Sequence, residues 1–154
     1  MVRLIGALML VLVFVVPSFG QQSLVGTYKL VSLVVKADGK PYEQMGKSPQ
    51  GYLVLTPTRL IAFVTAENRK FGTSDKEKAA LIDTMSGYAG PYRIEGDKLI
   101  YTAEVIWTES GRGTTRTETW QLSGNRLTLT AGPMPFSRDP SKTMVRTQVW
   151  EKIE

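Results

Sequence analysis

Few side chains in this sequence can do chemistry, and their types narrow it quickly. There is no histidine and no cysteine among the 154 residues. Ser-His and Cys-His nucleophiles, Cys/His zinc sites, disulfides and lipid attachment through cysteine are therefore all excluded. No phosphate-binding glycine loop or calcium-loop spacing of carboxylates is present either. What remains is a set of arginines, carboxylates and tyrosines in an unusual place. In "GRGTTRTETW", residues 111–120, a period of two puts Arg116, Glu118 and Trp120 on one face, and Leu122 continues it. A half-buried strand turns its tryptophan and leucine inward, so here an arginine and a glutamate share a core face. Near the end of the chain Arg146, Gln148 and Trp150 repeat the arrangement.

The elements that must carry these residues are strands. Apolar, β-branched runs occur at 24–35, 51–56, 59–66, 91–95, 98–109, 115–122, 126–131 and 143–153. Two-residue links, Gly96-Asp97 and Gly124-Asn125, are strong hairpin signals. Residues 132–141, with three prolines, read as a loop. One segment departs from this rhythm. Ser74 followed by Glu77 is a capping box, and Leu81, Ile82, Met85 and Tyr88 fall at helical spacing, which predicts a helix over 75–86 ended by Gly87 or Gly90. The expected fold is mainly β: an eight-stranded antiparallel up-and-down barrel, with one short helix between strands 3 and 4 capping the open end.

Hairpin pairing settles which residues share a face, because opposed residues point the same way. Across Gly96-Asp97, Tyr92 pairs with Tyr101, and the inner face continues to Ala103, Val105 and Trp107. If "SGRG" closes as a two-residue turn, Trp107 lies opposite Arg116 and Val105 opposite Glu118. One end of the barrel interior is then apolar, with Tyr28, Leu99, Trp120, Leu122, Leu127 and Trp150. The other end is mixed, with Trp107, Arg116, Glu118, Arg146 and Gln148. Buried charges are costly unless paired or solvated, so a cavity is expected at that depth. Tyr101, Trp107, Arg116, Glu118, Arg146 and Gln148 are the expected ligand-binding residues; no catalytic residue, metal ligand or cofactor is assigned. A plainer reading stays open: Arg116 and Glu118 form a surface pair at a hairpin end, and Arg146 packs on an aromatic ring.

Residues 1–20 have the form of a secretory signal peptide. Arg3 precedes an unbroken apolar run over 4–16, Pro17 ends it, and Ser18-Phe19-Gly20 supplies small residues for cleavage. The run is too short for a membrane span, which takes about 20 apolar residues. The expected mature domain is 21–154, exported to the periplasm or secreted, with no membrane span once the signal is removed. The whole chain carries a net charge of +5 with the basic residues scattered, unlike the clustered stripe of a nucleic-acid reader.

The ordered set "LVGTYKLVS", "GYLVLTPTRLIAFV", "YAGPYRIEGDKLIY", "WQLSGNRLTLT" and "VWEK" resembles the bacterial and fungal lipocalin-like domain family over nearly all of 21–154. The resemblance implies a calycin-type barrel with an inner ligand cavity. Tyr28 stands where lipocalins at large have tryptophan, and the "TPTR" turn lacks the usual glycine. The paired histidines that relatives carry near Tyr101 and Thr102, and their arginine near Glu118, are absent, so histidine-dependent chemistry does not carry over. Three functions remain open. The first is an exported carrier of a small apolar or amphipathic molecule, with an anionic end near Arg116 and Arg146. The second is a cofactor-independent isomerase, cyclase or hydratase using Glu118, Tyr101 or an arginine. The third is a structural envelope protein with a solid core. A hollow interior separates the first two from the third.

Overall fold

The computed structural model describes residues 24–43, 45–136 and 139–154. The signal-peptide reading of 1–20 lies outside them. Among the described residues, ten strands form one antiparallel sheet: β1 (Gly26–Ala37), β2 (Lys40–Pro41), β3 (Gln50–Leu55), β4 (Arg59–Thr65), β5 (Met85–Glu95), β6 (Lys98–Thr102), β7 (Val105–Ile106), β8 (Thr115–Ser123), β9 (Arg126–Phe136) and β10 (Asp139–Lys152). Eight of them are staves, in the order β10-β9-β8-β6-β5-β4-β3-β1, and β10 pairs back with β1 to close the barrel. Closure removes the open sheet edges that would otherwise invite pairing with another chain. Two short strands hang on this ring, β2 on β1 and β7 on β5.

The turns form for the reasons their residues suggest. Gly96 and Gly124 take the left-handed backbone that two-residue hairpins require, with φ of 57° and 60°. The glycine-free turn between β3 and β4 is held by a side chain instead. The Thr56 hydroxyl accepts from the Arg59 amide at 2.9 Å and donates to the Arg59 carbonyl at 3.1 Å.

One end of the interior is packed solid. Tyr28, Leu53, Leu55, Leu60, Leu99 and Trp150 are almost completely buried there, each aliphatic side chain stabilising the fold by about 1.5–3 kcal/mol. The Tyr28 hydroxyl donates to the Leu24 carbonyl at 2.8 Å. Trp120 and Leu122, expected in the same layer, are only half-buried against it. The Trp120 indole N–H reaches the Gly96 carbonyl at 3.1 Å.

Four expectations need correction. The fifth expected strand, 98–109, is not continuous. Tyr92 pairs with Tyr101 but Tyr88 pairs with Ile106, so one extra residue enters at Ala103–Glu104. Such a β-bulge flips the faces beyond it: Val105, expected inside, is 67% exposed. The bulge needs close backbone approach at Gly90, where a Cβ would lie 1.8 Å from the Thr102 carbonyl oxygen.

The "SGRG" turn is not a two-residue link. A 3-10 turn at Glu109–Gly111 and its flanks form an excursion from Ala103 to Thr114, tied at its base by Ala103 N–H to the Thr114 carbonyl at 3.0 Å. Arg116 therefore lies opposite Tyr101 and Glu118 opposite Leu99, not opposite Trp107 and Val105. An even displacement preserved the face, so both still point inward.

The helix α1 runs only over Asp75–Asp83. It lies between the third and fourth staves, though β2 makes it follow the fourth strand. Met85 and Tyr88 belong to β5, where Tyr88 is buried; alternation along that strand won over the helical spacing. Lastly, the described residues of 132–141 are strand and not loop. β9 extends to Phe136 and β10 begins at Asp139, with exposed Pro133 and Pro135 alternating with inward Met134 and Phe136.

Candidate functional site

The other end of the barrel is hollow. Two adjoining cavities, of about 810 Å³ and about 160 Å³, share Asp83, Ser86, Trp107, Met144 and Arg146 on their walls. The larger is walled by β6, β8, β9 and the 103–114 excursion; the smaller lies against β1, the loop after β2 and the start of β5. Their combined size suits a small organic molecule. The helix contributes little: Asp83, its last residue, is its only residue on either wall, and no helix residue is buried.

All six residues singled out from the sequence lie on these walls. Tyr101, Arg116 and Glu118 line the larger cavity, Gln148 the smaller, and Trp107 and Arg146 both. Their relations differ from the expected ones. Glu118 is 2% exposed and pairs with Arg146, not with Arg116. The Tyr101 hydroxyl donates to the same Glu118 Oε1 at 3.1 Å. The plainer surface-pair reading is thereby overturned, and Arg146 is an ion-pair partner instead of a ring-packing latch.

Tyr88 stacks on Tyr101 with ring centroids 5.1 Å apart and planes 13° from parallel. Burial, then the adjacent Glu118 carboxylate, pushes both phenols above their ordinary pKa, so they stay neutral donors. For Arg146, burial opposes the charge, but Glu118 and the two tyrosines more than offset it, and its pKa lies above the usual guanidinium value. Glu118 Oε2, Arg146 Nε and Gln148 Oε1 are buried without a hydrogen-bond partner among the described residues.

Arg116 is held differently. Its guanidinium donates a long bond, 3.4 Å, to the Thr114 hydroxyl and forms no ion pair among the described residues. It lies over Gly111, where a Cβ would be 2.9 Å from Arg116 Nη2 and 2.7 Å from Ile106 Cδ1. A larger residue there would push the guanidinium and the end of the Ile106 side chain aside. Around it the cavity wall carries the hydroxyl-bearing residues Thr108, Ser110, Thr114, Thr115 and Thr117.

Tyr88, which packs behind the wall on Tyr101, and several wall residues escaped sequence reasoning. Alternation of Tyr88 with Tyr92 and Ile94 could have placed Tyr88 inward. Met134 was hidden by the prolines around it, and Gly111 by the mistaken turn. The convergence of Met45 and Met85 on the smaller cavity carries no local signal.

A closed antiparallel barrel plugged at one end and hollow at the other has the calycin architecture. The family model for the lipocalin-like domain matches residues 25–153, and the chain belongs to that family. No curated protein matches the sequence.

Proposed function

We propose that the protein is an exported carrier that holds one small apolar or amphipathic molecule in the hollow half of the barrel, with an anionic group at Arg116. The observation that carries this reading is the larger cavity itself, with a guanidinium on its wall that no carboxylate neutralises among the described residues. An anion there gains charge-assisted hydrogen bonds from Arg116 and neutral ones from the hydroxyls of Thr108 and Ser110 on the same wall. The Arg146–Glu118 pair is already satisfied charge for charge, so it shapes the wall without demanding a charged ligand.

The enzymatic alternative has less support. A general base must present its carboxylate to the substrate, whereas Glu118 Oε1 is engaged by Tyr101 and Arg146 and Oε2 is buried.

Native mass spectrometry of protein purified from its own host tests the carrier reading. The expected result is a small-molecule adduct that organic extraction removes; protein that carries no adduct and takes up no offered amphiphile overturns it. The same spectra test export. A chain beginning at Gln21 is expected, and a full-length cytosolic product overturns that part.

A further inference from the structure

Two kinds of apolar side chain are sorted between the two ends of this barrel. After residue 21 the sequence has methionine at 45, 85, 134 and 144 only. All four line the cavities: Met45 and Met85 the smaller, Met134 the larger, and Met144 both. They come from a loop and three different strands, so no local pattern brings them together. Met134 and Met144 face each other across the β9–β10 ladder. Trp107 lies on both walls, and Tyr42 and Phe136, packed edge to face at 4.9 Å, flank the smaller cavity. The leucines behave oppositely. They fill the plug, and Leu33 is the only leucine on either wall.

A plug needs side chains with few rotamers and close packing, which leucine supplies. Methionine is flexible and polarisable, and its thioether makes favourable contacts with aromatic rings. We propose that the cavity selects a planar aromatic group. This inference rests on the carrier reading and names the class of molecule carried. Buried area alone would favour a saturated ring system, whose apolar surface is larger. Each sulfur–aromatic contact favours the flat ring by roughly two- to tenfold in affinity. With four thioethers and Trp107 on the walls, the second effect wins.

A matched pair of acids separates the two effects: 2-naphthoate and decahydro-2-naphthoate share a carbon skeleton and a carboxylate and differ in aromaticity. Titration calorimetry should show the aromatic acid binding at least about fivefold tighter. The variant Met45→Leu/Met85→Leu/Met134→Leu/Met144→Leu should bring that ratio close to one, with the saturated acid little affected. Should the fourfold variant not fold, Met85→Leu/Met144→Leu should halve the ratio or better. Equal binding, or a preference for the saturated acid, overturns the aromatic class and leaves the carrier reading standing. A preference that survives in a folded leucine variant overturns the role of the thioethers. Binding of neither acid overturns the aromatic class, and the carrier reading then stands or falls with the native adduct.

Discussion

Arg146 on β10 and Glu118 on β8 form an ion pair across an intervening strand, over the small side chain of Ala131. Arg146 pairs with Ala131 in the β9–β10 ladder, and the pairing of Thr119 with Thr130 brings Glu118 level with the same alanine. A larger residue at 131 would stand between the two charges. The carboxylate is 2% exposed and the guanidinium side chain 18%, so the carboxylate in particular has almost no solvent to fall back on.

Removal of one partner should therefore be costly. Glu118→Gln should destabilise the fold by about 3–5 kcal/mol, because it leaves the Arg146 charge buried and unpaired. The double variant Glu118→Gln/Arg146→Met should recover a large part of that loss. Urea denaturation of the four proteins in the cycle measures it. A single variant within about 0.5 kcal/mol of the parent would show that the pair is solvated.

Arg116 should behave in the opposite way. Its guanidinium faces the larger cavity with one long bond to Thr114, and water can take its place in a polar cavity. Arg116→Ala should leave stability almost unchanged while affinity for an anionic amphiphile such as anilinonaphthalene sulfonate falls about tenfold or more. Unfolding would make Arg116 a structural residue, and unchanged binding would remove it from the site.

The helix should be the least stable element. It buries no residue, and its N-terminus is held by a reciprocal capping box between Ser74 and Glu77. Ser74→Ala should cost about 1 kcal/mol of local helix stability, read as faster amide exchange in α1 than in the barrel strands. Protection equal to that of the strands would make it part of the core.

The same box predicts an acid response. Hydrogen bonds from the Ser74 amide and hydroxyl, and then from Thr73, lower the Glu77 pKa from 4.5 to about 2. A depressed folded pKa means the contribution is complete above the unfolded value and is lost as pH falls through the folded one. Protection of the helix amides, relative to the intrinsic exchange rate at each pH, should thus fall as pH drops from about 4.5 to about 2, and Glu77→Gln should flatten that dependence.

At alkaline pH the sign reverses for the tyrosines. Burial, with a smaller effect of Tyr28, raises Tyr92 from 10.0 to about 12, and Tyr88 and Tyr101 are raised as well. Stability should be complete below pH about 10 and fall as pH climbs through about 12. Near-ultraviolet tyrosinate absorbance should lag that of the urea-unfolded chain, and Tyr92→Phe should reduce the slope. Coincident titration of folded and unfolded protein would contradict the burial.

The sequence by itself determined the barrel, its tight hairpins, the helix start at Ser74 and the inward face of Arg116, Glu118, Arg146 and Gln148. These follow from local rules, since a strand alternates every two residues and an N-cap satisfies its own first turn. Partnership was decided elsewhere. Expecting Glu118 beside Arg116 came from reading neighbours along one strand, and its true partner comes from β10, over an alanine on β9. The bulge at Ala103–Glu104, the excursion that follows it and the meeting of four distant methionines likewise depend on chain closure. Such contacts join residues far apart in sequence, and only the closed sheet brings those residues to one depth in the barrel.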